Sequence, residues 1–404
     1  MRKVHIFVVL LVMVSVFPLA AACGSSDQPK IGTILAFTGD LANFGPPMRN
    51  GADLAVTLLN DAGGVLGGTV EAVHKDSGTS SQVSIEAARA LINVDGVGAI
   101  VGPLSSGSTQ SVAEAVTIPG QTVLISPSAT SPALTVMNDS DFLFRTTVSD
   151  AAQGVVLARL AKEQGFGQAS VVYINNAYGE GLANVFKNSF EAEGGQVGEL
   201  VPQESGQPSY QSELRRATES NPDVLVAIGY PESAGVYLRE ALEGDFANKF
   251  LFVDGTKNQE MFDALGADQF EGLFGTAPGA PDSDAKSTFE RLYEEQFGEL
   301  PTNPFIGETF DAVVLIGLAM EKAGSSEGPA IRDALRDVAN PPGEKVGPGE
   351  LERALSIISD GGDVDYEGVA GSQNIDDNGD VLNSIEVWKI EGGTITSTGR
   401  FESP

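Results

Sequence analysis

From residue 30 onward, short apolar runs rich in β-branched residues alternate with longer segments in which apolar side chains recur every three or four positions. The first pattern is typical of strands and the second of amphipathic helices. In the first part of the chain the predicted strands are 31–37, 69–74, 99–101 and 122–125. The predicted helices between them are 48–62, 81–94 and 106–116. This alternation predicts an α/β fold, with a parallel sheet covered by helices on both faces.

The same pattern starts again after residue 147 and predicts a second, doubly wound sheet. Its predicted strands are 170–174, 196–201, 224–228 and 250–253. Its predicted helices are 150–164, 181–193, 210–219 and 233–242. The region 283–338 is helical and has no strand of its own, so we expect it to pack on the two sheets. The segment 384–401 predicts a β-hairpin with two glycines at its turn.

The loops that follow the predicted strands carry the candidate chemistry. Ligands of open α/β sheets bind at the carboxyl ends of the strands, so two such sheets side by side predict a shared cleft. On the first sheet, the hydroxyl-rich loop 126–132 and the helix start at Ser106 favour an anion, although N-capping explains that serine equally well. On the second sheet, Tyr178, Tyr230 and Asp254 follow strands and favour an ammonium group. A zwitterionic α-amino acid fits both walls.

The beginning of the chain has the pattern of a secretory signal. Two basic residues precede an almost wholly apolar run, 4–19, and three alanines then lead to Cys23. This segment resembles the lipobox of bacterial lipoproteins, although Ala20 stands where leucine is usual. We expect a signal peptide over 1–22 and a lipidated Cys23 on a tether, 23–29, so that the protein is exported and lipid-anchored at the cell envelope. An uncleaved anchor and a plain signal with a chance cysteine are the alternatives.

The charge balance and the counts of cysteine and histidine exclude several functions. With 55 Asp+Glu against 24 Lys+Arg, the surface repels nucleic acid. One cysteine and two histidines allow neither an intrachain disulfide nor a Cys/His zinc cluster. The acidic loop 376–380 resembles a calcium loop, but Val387 stands where an EF-hand needs its glutamate, so we expect no metal site. Without a Walker loop or a nucleophile elbow, we expect neither a cofactor nor catalysis.

Six motifs occur in order along the chain: Leu41-Ala42-Asn43-Phe44-Gly45, Asn60-Asp61-Ala62-Gly63-Gly64, Val101 to Thr109, Ile125 to Thr130, Phe144-Arg145-Thr146 and Tyr178-Gly179-Glu180-Gly181. In this order and spacing they resemble the branched-chain amino-acid (leucine/isoleucine/valine) receptors of ABC importers, which belong to the type I periplasmic binding-protein superfamily. The resemblance runs over nearly all of 30–404.

The resemblance implies two Rossmann-like lobes with the ligand cleft between them, joined by three hinge crossovers. The implied crossovers are near 148, 277 and 383. Lobe I would then comprise 30–148 and 278–383, and lobe II 149–277 and 384–404. Three hinge strands permit bending and restrict twist, which suits closure around a ligand.

The resemblance also implies which polar groups hold the ligand. Ser106 and Thr130 would bind its carboxylate through hydroxyls and backbone N–H groups. The backbone carbonyl of Ser128 would face the ammonium, although many relatives have alanine there. Asp254 would be the counter-ion of the ammonium, where close relatives often have glutamate.

Four aromatic residues complete the implied pocket. Tyr230 would hydrogen-bond to the ammonium or face it, and Tyr178 would cover the ligand from lobe II. Phe44 and Phe305 fall where the family lines the side-chain end of the pocket, although ordinary core packing explains both phenylalanines as well.

These expectations together describe a monomeric receptor that closes on an aliphatic amino acid and delivers it to the permease subunits of an ABC importer. Three alternatives stay open. In the first, the chain binds urea, an amide or another small polar solute, as relatives with this fold do. In the second, it is a sensory subunit that reports its ligand to a membrane receptor. An envelope hydrolase is disfavoured, because His74 is the only histidine after the signal and no nucleophile is paired with it.

Overall fold

The computed structural model of the protein describes residues 28–403. The predicted signal peptide and Cys23 lie outside these residues. Within them, no helix combines the length and the apolar character needed to cross a bilayer.

The helices and strands alternate as the hydrophobic pattern predicts. The strands are β1 (Lys30–Leu35), β2 (Glu71–Asp76), β3 (Ala99–Val101), β4 (Val123–Ser126), β5 (Leu143–Arg145), β6 (Gln168–Ile174), β7 (Gln196–Gln203), β8 (Val224–Ile228), β9 (Phe250–Phe252), β10 (Phe274–Pro278), β11 (Glu344–Val346), β12 (Val364–Gly368), β13 (Gly371–Ser372), β14 (Ile385–Glu391) and β15 (Thr394–Glu402). The helices are α1 (Gly45–Asp61), α2 (Ser81–Ala90), α3 (Ser106–Val112), α4 (Ile118–Gly120), α5 (Pro132–Thr135), α6 (Asp150–Glu163), α7 (Ala177–Ala192), α8 (Gln211–Thr218), α9 (Pro231–Glu243), α10 (Gln259–Leu265), α11 (Asp284–Phe297), α12 (Ile306–Ala323), α13 (Gly328–Ala339) and α14 (Leu351–Ser359).

The first lobe is built on a five-stranded parallel sheet in the order β2-β1-β3-β4-β5. Its central strands are buried on both faces and are therefore continuously apolar, as in Val123–Ser126. Helix α12 packs on this lobe beside α1. Almost every residue of Ile306–Met320 is buried, because this helix is apolar on nearly all sides. The helical region 283–338 thus packs on an existing sheet, as predicted.

The second lobe is built on a seven-stranded sheet in the order β15-β14-β10-β9-β8-β6-β7. Strands β6 to β10 are parallel, and the predicted hairpin, β14 and β15, joins the edge of β10 in antiparallel fashion. Two parallel sheets with helical layers confirm the predicted α/β fold class. The pattern missed β5, β10 and the small sheet β11-β12-β13, because these strands are short or interrupted by glycine and proline.

The chain passes between the two sheets three times. It leaves the first sheet after β5 and enters α6, and it leaves the second sheet after β10 and enters α11. It returns to the second sheet at β14. The three connecting segments are 146–149, 279–283 and 381–384, and they form the hinge.

Candidate functional site

A narrow, buried cavity lies between the two lobes, at the carboxyl ends of the parallel strands. Its free volume is about 20 Å³. It is lined by Leu41, Phe44, Leu104, Ser106, Ser128, Tyr178, Tyr230, Asp254, Gly255 and Phe305. Every one of these residues is buried. We call this space the interlobe cavity, and its burial shows that the lobes are closed over it.

The first lobe lines the cavity with hydroxyl and backbone groups. Ser106 is the first residue of α3, whose N-cap is Ser105. The Ser106 hydroxyl accepts a hydrogen bond from the backbone N–H of Ser131 over 3.2 Å, so its own proton stays free to donate to a ligand. The Ser128 hydroxyl donates to the Leu104 carbonyl over 3.1 Å. The backbone carbonyl of Ser128 accepts no backbone hydrogen bond from residues 28–403.

Thr130 is the one predicted site residue that does not line the cavity surface. It is fully buried in the same loop as Ser128. Its carbonyl accepts a hydrogen bond from the backbone N–H of Asp150 over 2.8 Å. Its hydroxyl makes no hydrogen bond within the described part of the chain. Thr130 therefore lies behind the wall, between the first lobe and the hinge.

A buried ion pair holds the 126–132 loop in place. The guanidinium of Arg145, at the end of β5, donates to the carbonyls of Ala129 and Ser131 over 3.3 and 3.0 Å. It also binds Asp380 through Nε over 2.7 Å. Asp380 belongs to the acidic loop whose sequence resembles a calcium loop. This loop is instead a structural brace between the binding loop and the third hinge segment.

The second lobe supplies a carboxylate. Asp254 follows β9 and begins a 3-10 turn. Its Oδ1 accepts hydrogen bonds from the Tyr178 hydroxyl over 2.8 Å and from Gln153 Nε2 over 2.9 Å. The backbone N–H groups of Asp254 and Gly255 also interact favourably with the charged carboxylate. Burial raises the pKa of Asp254 to about 6, although the bonds from Tyr178 and Gln153 favour the charged form.

Gly255 must be glycine for this arrangement. A Cβ placed there would lie 2.3 Å from the carbonyl oxygen of Gly229 and 2.9 Å from the Tyr178 hydroxyl. The close approach lets the backbone N–H of Gly255 donate to the same Tyr178 oxygen over 3.3 Å. The backbone after β9 thus holds Asp254 against the tyrosine.

Asp150 is a second buried carboxylate, which the sequence analysis did not select. It is the first residue of α6, directly after the first hinge segment, and is completely buried. Neither of its carboxylate oxygens has a hydrogen-bond partner among residues 28–403. Burial raises the pKa of Asp150 well above its ordinary value, and the negative charge of Asp254 raises it further, while the nearby Thr130 hydroxyl and the charge of Arg145 offset part of the shift. An acidic residue at the start of a helix ordinarily stabilises the helix through its negative charge, so nothing in the sequence marked Asp150 as a neighbour of the site.

Two tyrosines and two phenylalanines form the remaining walls. Tyr178 and Tyr230 stack with their ring centres 5.5 Å apart. Asn176 caps α7 through the N–H groups of its first turn, and its Nδ2 donates to the Tyr230 hydroxyl over 3.2 Å. Because of this cap, α7 begins at Ala177, four residues before the predicted start. At the opposite end, Phe44 and Phe305 contact each other at 6.4 Å between ring centres.

The cavity therefore has three chemically distinct regions. The Ser106 hydroxyl and the start of α3 offer donors to an anion. The Asp254 carboxylate offers an acceptor to a cation. The phenylalanine end is apolar. Groups of three or more side chains suited to a metal ion are absent from residues 28–403.

Comparison with known proteins points to one family. A family model described as "Periplasmic binding protein" matches residues 28–347. A leucine-, isoleucine-, valine-, threonine- and alanine-binding protein of Pseudomonas aeruginosa is 28% identical over 313 residues, which are 77% of this chain and 83% of that protein. A chemotactic signal-transduction substrate-binding protein of Halobacterium salinarum is 26% identical over 359 residues, which are 87% and 84% of the two chains.

A solved structure shows the same architecture. A leucine-binding protein of Thermotoga maritima is similar to this chain with a TM-score of 0.79 and 26% identity, over 93% of this chain and 99% of that one. Together with the two-sheet fold, this similarity confirms the resemblance that the six sequence motifs indicate. The chain belongs to the periplasmic binding protein family.

Proposed function

We propose that this protein is an extracytoplasmic receptor that closes on an α-amino acid with an aliphatic side chain and delivers it to the permease of an ABC importer. The observation that carries the proposal is the buried interlobe cavity, with the Ser106 hydroxyl on the wall of one lobe and the Asp254 carboxylate on the wall of the other. The family to which the chain belongs consists of solute-binding receptors and implies an exported protein.

The buried carboxylates favour a ligand that carries a positive charge. An ammonium placed between the Asp254 carboxylate and the Ser128 carbonyl would gain charge-assisted hydrogen bonds, each worth about 1.5–3 kcal/mol. It would also neutralise part of the charge that Asp150 and Asp254 impose on each other. The stacked faces of Tyr178 and Tyr230 add attraction for the cation.

The carboxylate of the same ligand would then lie toward Ser106. From there it would accept a hydrogen bond from the Ser106 hydroxyl and face the N–H groups at the start of α3. The ligand side chain would extend toward Phe44 and Phe305, where only apolar contacts are available. Thr130 would act on the ligand only indirectly, because its buried hydroxyl does not line the cavity.

Urea and simple amides fit this cavity less well than an amino acid does. They carry no charge to pair with the Asp254 carboxylate, and leaving that buried carboxylate uncompensated costs several kcal/mol. The acidic wall is therefore the feature that separates the two ligand classes.

Isothermal titration calorimetry against the twenty amino acids, urea and butyramide tests the proposal. We expect a dissociation constant in the micromolar range or below for at least one aliphatic amino acid, and none for the amides. The matched control is Glu232→Gln, which removes an exposed carboxylate two residues from Tyr230 and should leave binding unchanged. If no amino acid binds more tightly than about 1 mM, the amino-acid proposal is wrong.

The proposed attachment to the membrane rests on Cys23. Two or three acyl chains on this cysteine would hold the receptor at the envelope, since each buried methylene contributes about 0.8 kcal/mol. Expression of the full chain with Cys23→Ser, followed by membrane fractionation, tests this. We expect the variant to leave the membrane fraction, and retention there would contradict lipid anchoring.

A sensory role is the second candidate, because the Halobacterium relative is a substrate-binding protein of a chemotactic system. Reconstitution of the ligand-loaded protein with its membrane partner separates the two roles. A transport receptor stimulates ATP hydrolysis by an importer, and we expect this outcome. A sensory subunit changes the output of a signalling receptor instead.

A further inference from the structure

A second cavity lies at the hinge and shares one wall, Phe305, with the interlobe cavity. It has a free volume of about 230 Å³ and opens to solvent. We call it the hinge cavity. The first lobe contributes Phe289 and Glu308 to its lining, and the second lobe contributes Lys257 and Glu386. An occupant of this space would therefore touch both lobes.

Glu308 is a buried carboxylate without a partner side chain. It is 7% exposed, and no other side chain of the described residues donates a hydrogen bond to it. Burial raises the pKa of Glu308 to about 8, with the negative charge of Asp311 adding to the effect. The backbone N–H of Glu308 and the ammonium of Lys257 offset only part of this shift.

The basic groups around Glu308 already have partners. Lys257 Nζ lies 2.5 Å from Glu386 Oε2, and both side chains are largely buried. Lys286 Nζ donates to the Ala280 carbonyl over 3.3 Å and lies 3.2 Å from Asp282. The lining of the hinge cavity therefore has paired cations and an unpaired acid.

Helix stabilisation is the simplest alternative role for this acid. Glu308 is the third residue of α12, where a carboxylate interacts favourably with the helix N-terminus. That interaction is worth at most about 1–2 kcal/mol and is available to an exposed side chain as well. It does not account for burial of the acid against a cavity that both lobes line.

We propose that the hinge cavity is a second binding site, for a small organic cation such as an alkylammonium or guanidinium on a short apolar body, with Glu308 as its counter-ion. The apolar body would lie against Phe289, Val369 and Phe401, which line the same space. Because the lining comes from both lobes, the occupant binds the closed arrangement better than the open one. By linkage, it then strengthens binding of the solute in the interlobe cavity.

The test uses n-butylammonium chloride as the probe, with n-butanol as its uncharged analogue. The protein is first saturated with the amino acid that it binds most tightly, so that the interlobe cavity is filled. We expect saturable binding of butylammonium, no binding of butanol, and amino-acid affinity at least about fivefold higher when the probe is present. Because Glu308 must ionise to pair with the probe, we also expect proton release near pH 7, measured by calorimetry in two buffers of different ionisation enthalpy.

Three variants separate this site from the rest of the molecule. Glu308→Gln keeps the size of the side chain and should weaken butylammonium at least tenfold. Glu290→Gln, a less buried acid of the same lining, is the matched control and should leave probe binding within about twofold of wild type. Val369→Phe fills the cavity and should abolish probe binding while amino-acid binding persists. Thermal unfolding checks that each variant is folded.

The inference does not depend on which solute occupies the interlobe cavity. If no amino acid binds, butylammonium is titrated directly into wild type, Glu308→Gln and Asp254→Asn. Loss of binding only in Glu308→Gln supports the hinge site. Competition between the probe and an amino acid, loss of binding only in Asp254→Asn, or equal binding by wild type and Glu308→Gln would overturn it.

Discussion

Replacing Asp254 by asparagine should stabilise the ligand-free protein and weaken its ligand. Burial raises the pKa of this carboxyl from its ordinary 3.8 to about 6, so the folded protein retains a proton that the unfolded chain releases between these values. The free energy of unfolding therefore falls as the pH rises from about 4 to about 6. A shift of roughly two units corresponds to about 3 kcal/mol. Asparagine does not ionise, so the variant Asp254→Asn avoids this decrease in the free energy of unfolding. We expect the variant to be more stable than wild type at pH 7 by up to about 3 kcal/mol.

The same substitution removes a charge that the proposed ammonium needs. Truncating one partner of a buried, hydrogen-bonded charge pair costs about 2–5 kcal/mol. Because asparagine keeps an oxygen that can accept a hydrogen bond from the ammonium, we expect a loss near the lower end, about 2 kcal/mol, or roughly 30-fold in affinity. In wild type the affinity should also fall about tenfold per pH unit below pH 6, since the ligand binds the ionised carboxyl. In the variant this pH dependence should be weaker.

Two measurements check both halves of the argument. Urea denaturation of the ligand-free protein at pH 4, 5, 6 and 7 gives the stability difference, and calorimetry with the preferred amino acid from pH 5 to pH 8 gives the affinity. Glu232→Gln is the control for the loss of one negative charge. Affinity that is the same at pH 5 and pH 7.5 in wild type, or within threefold of wild type in Asp254→Asn, would refute the placement of the ammonium at this carboxylate.

Three further substitutions probe the groups around the cavity. Ser106→Ala removes the free hydroxyl and should weaken the amino acid by about 1–2 kcal/mol in calorimetry, and unchanged affinity would place the ligand carboxylate elsewhere. Arg145→Met leaves Asp380 buried without its partner and should lower the free energy of unfolding by about 3–5 kcal/mol in urea, whereas a loss below 1 kcal/mol would contradict the brace. Gly255→Ala places a Cβ against the Gly229 carbonyl and should abolish binding while the circular dichroism spectrum stays native; retained affinity would show that the turn after β9 tolerates displacement.

Most of the fold and the cavity walls could be predicted from local patterns. Buried parallel strands are continuously apolar, and the loops after them converge at one edge of each sheet. This rule alone brought Ser106, Tyr230 and Asp254 into consideration, and the structure places all three on one cavity. Their roles toward a ligand stay predictions that the experiments above address.

The groups that the pattern missed owe their position to long-range packing. Asp150 lies near Asp254 only because helix α6 packs on the second sheet beside β10, which pairs with β9. Arg145 meets Asp380 across 235 residues of sequence, and nothing local marks either residue as a partner. Thr130 was predicted from its motif to touch the ligand, but one turn of the same loop places it behind Ser128. The early start of α7 follows from a single side-chain cap at Asn176, which a search for apolar periodicity does not detect.

The absence of any exposed residue around the interlobe cavity has a kinetic consequence. A solute enclosed there can dissociate no faster than the two halves swing apart, so its residence time is governed by a hinge motion and not by its own contacts alone. The affinity for the solute and the rate of its release can therefore change independently of each other. The side chains that line the cavity determine the affinity for the solute. A membrane partner that binds both lobes from outside could open them and receive the solute while it stays bound.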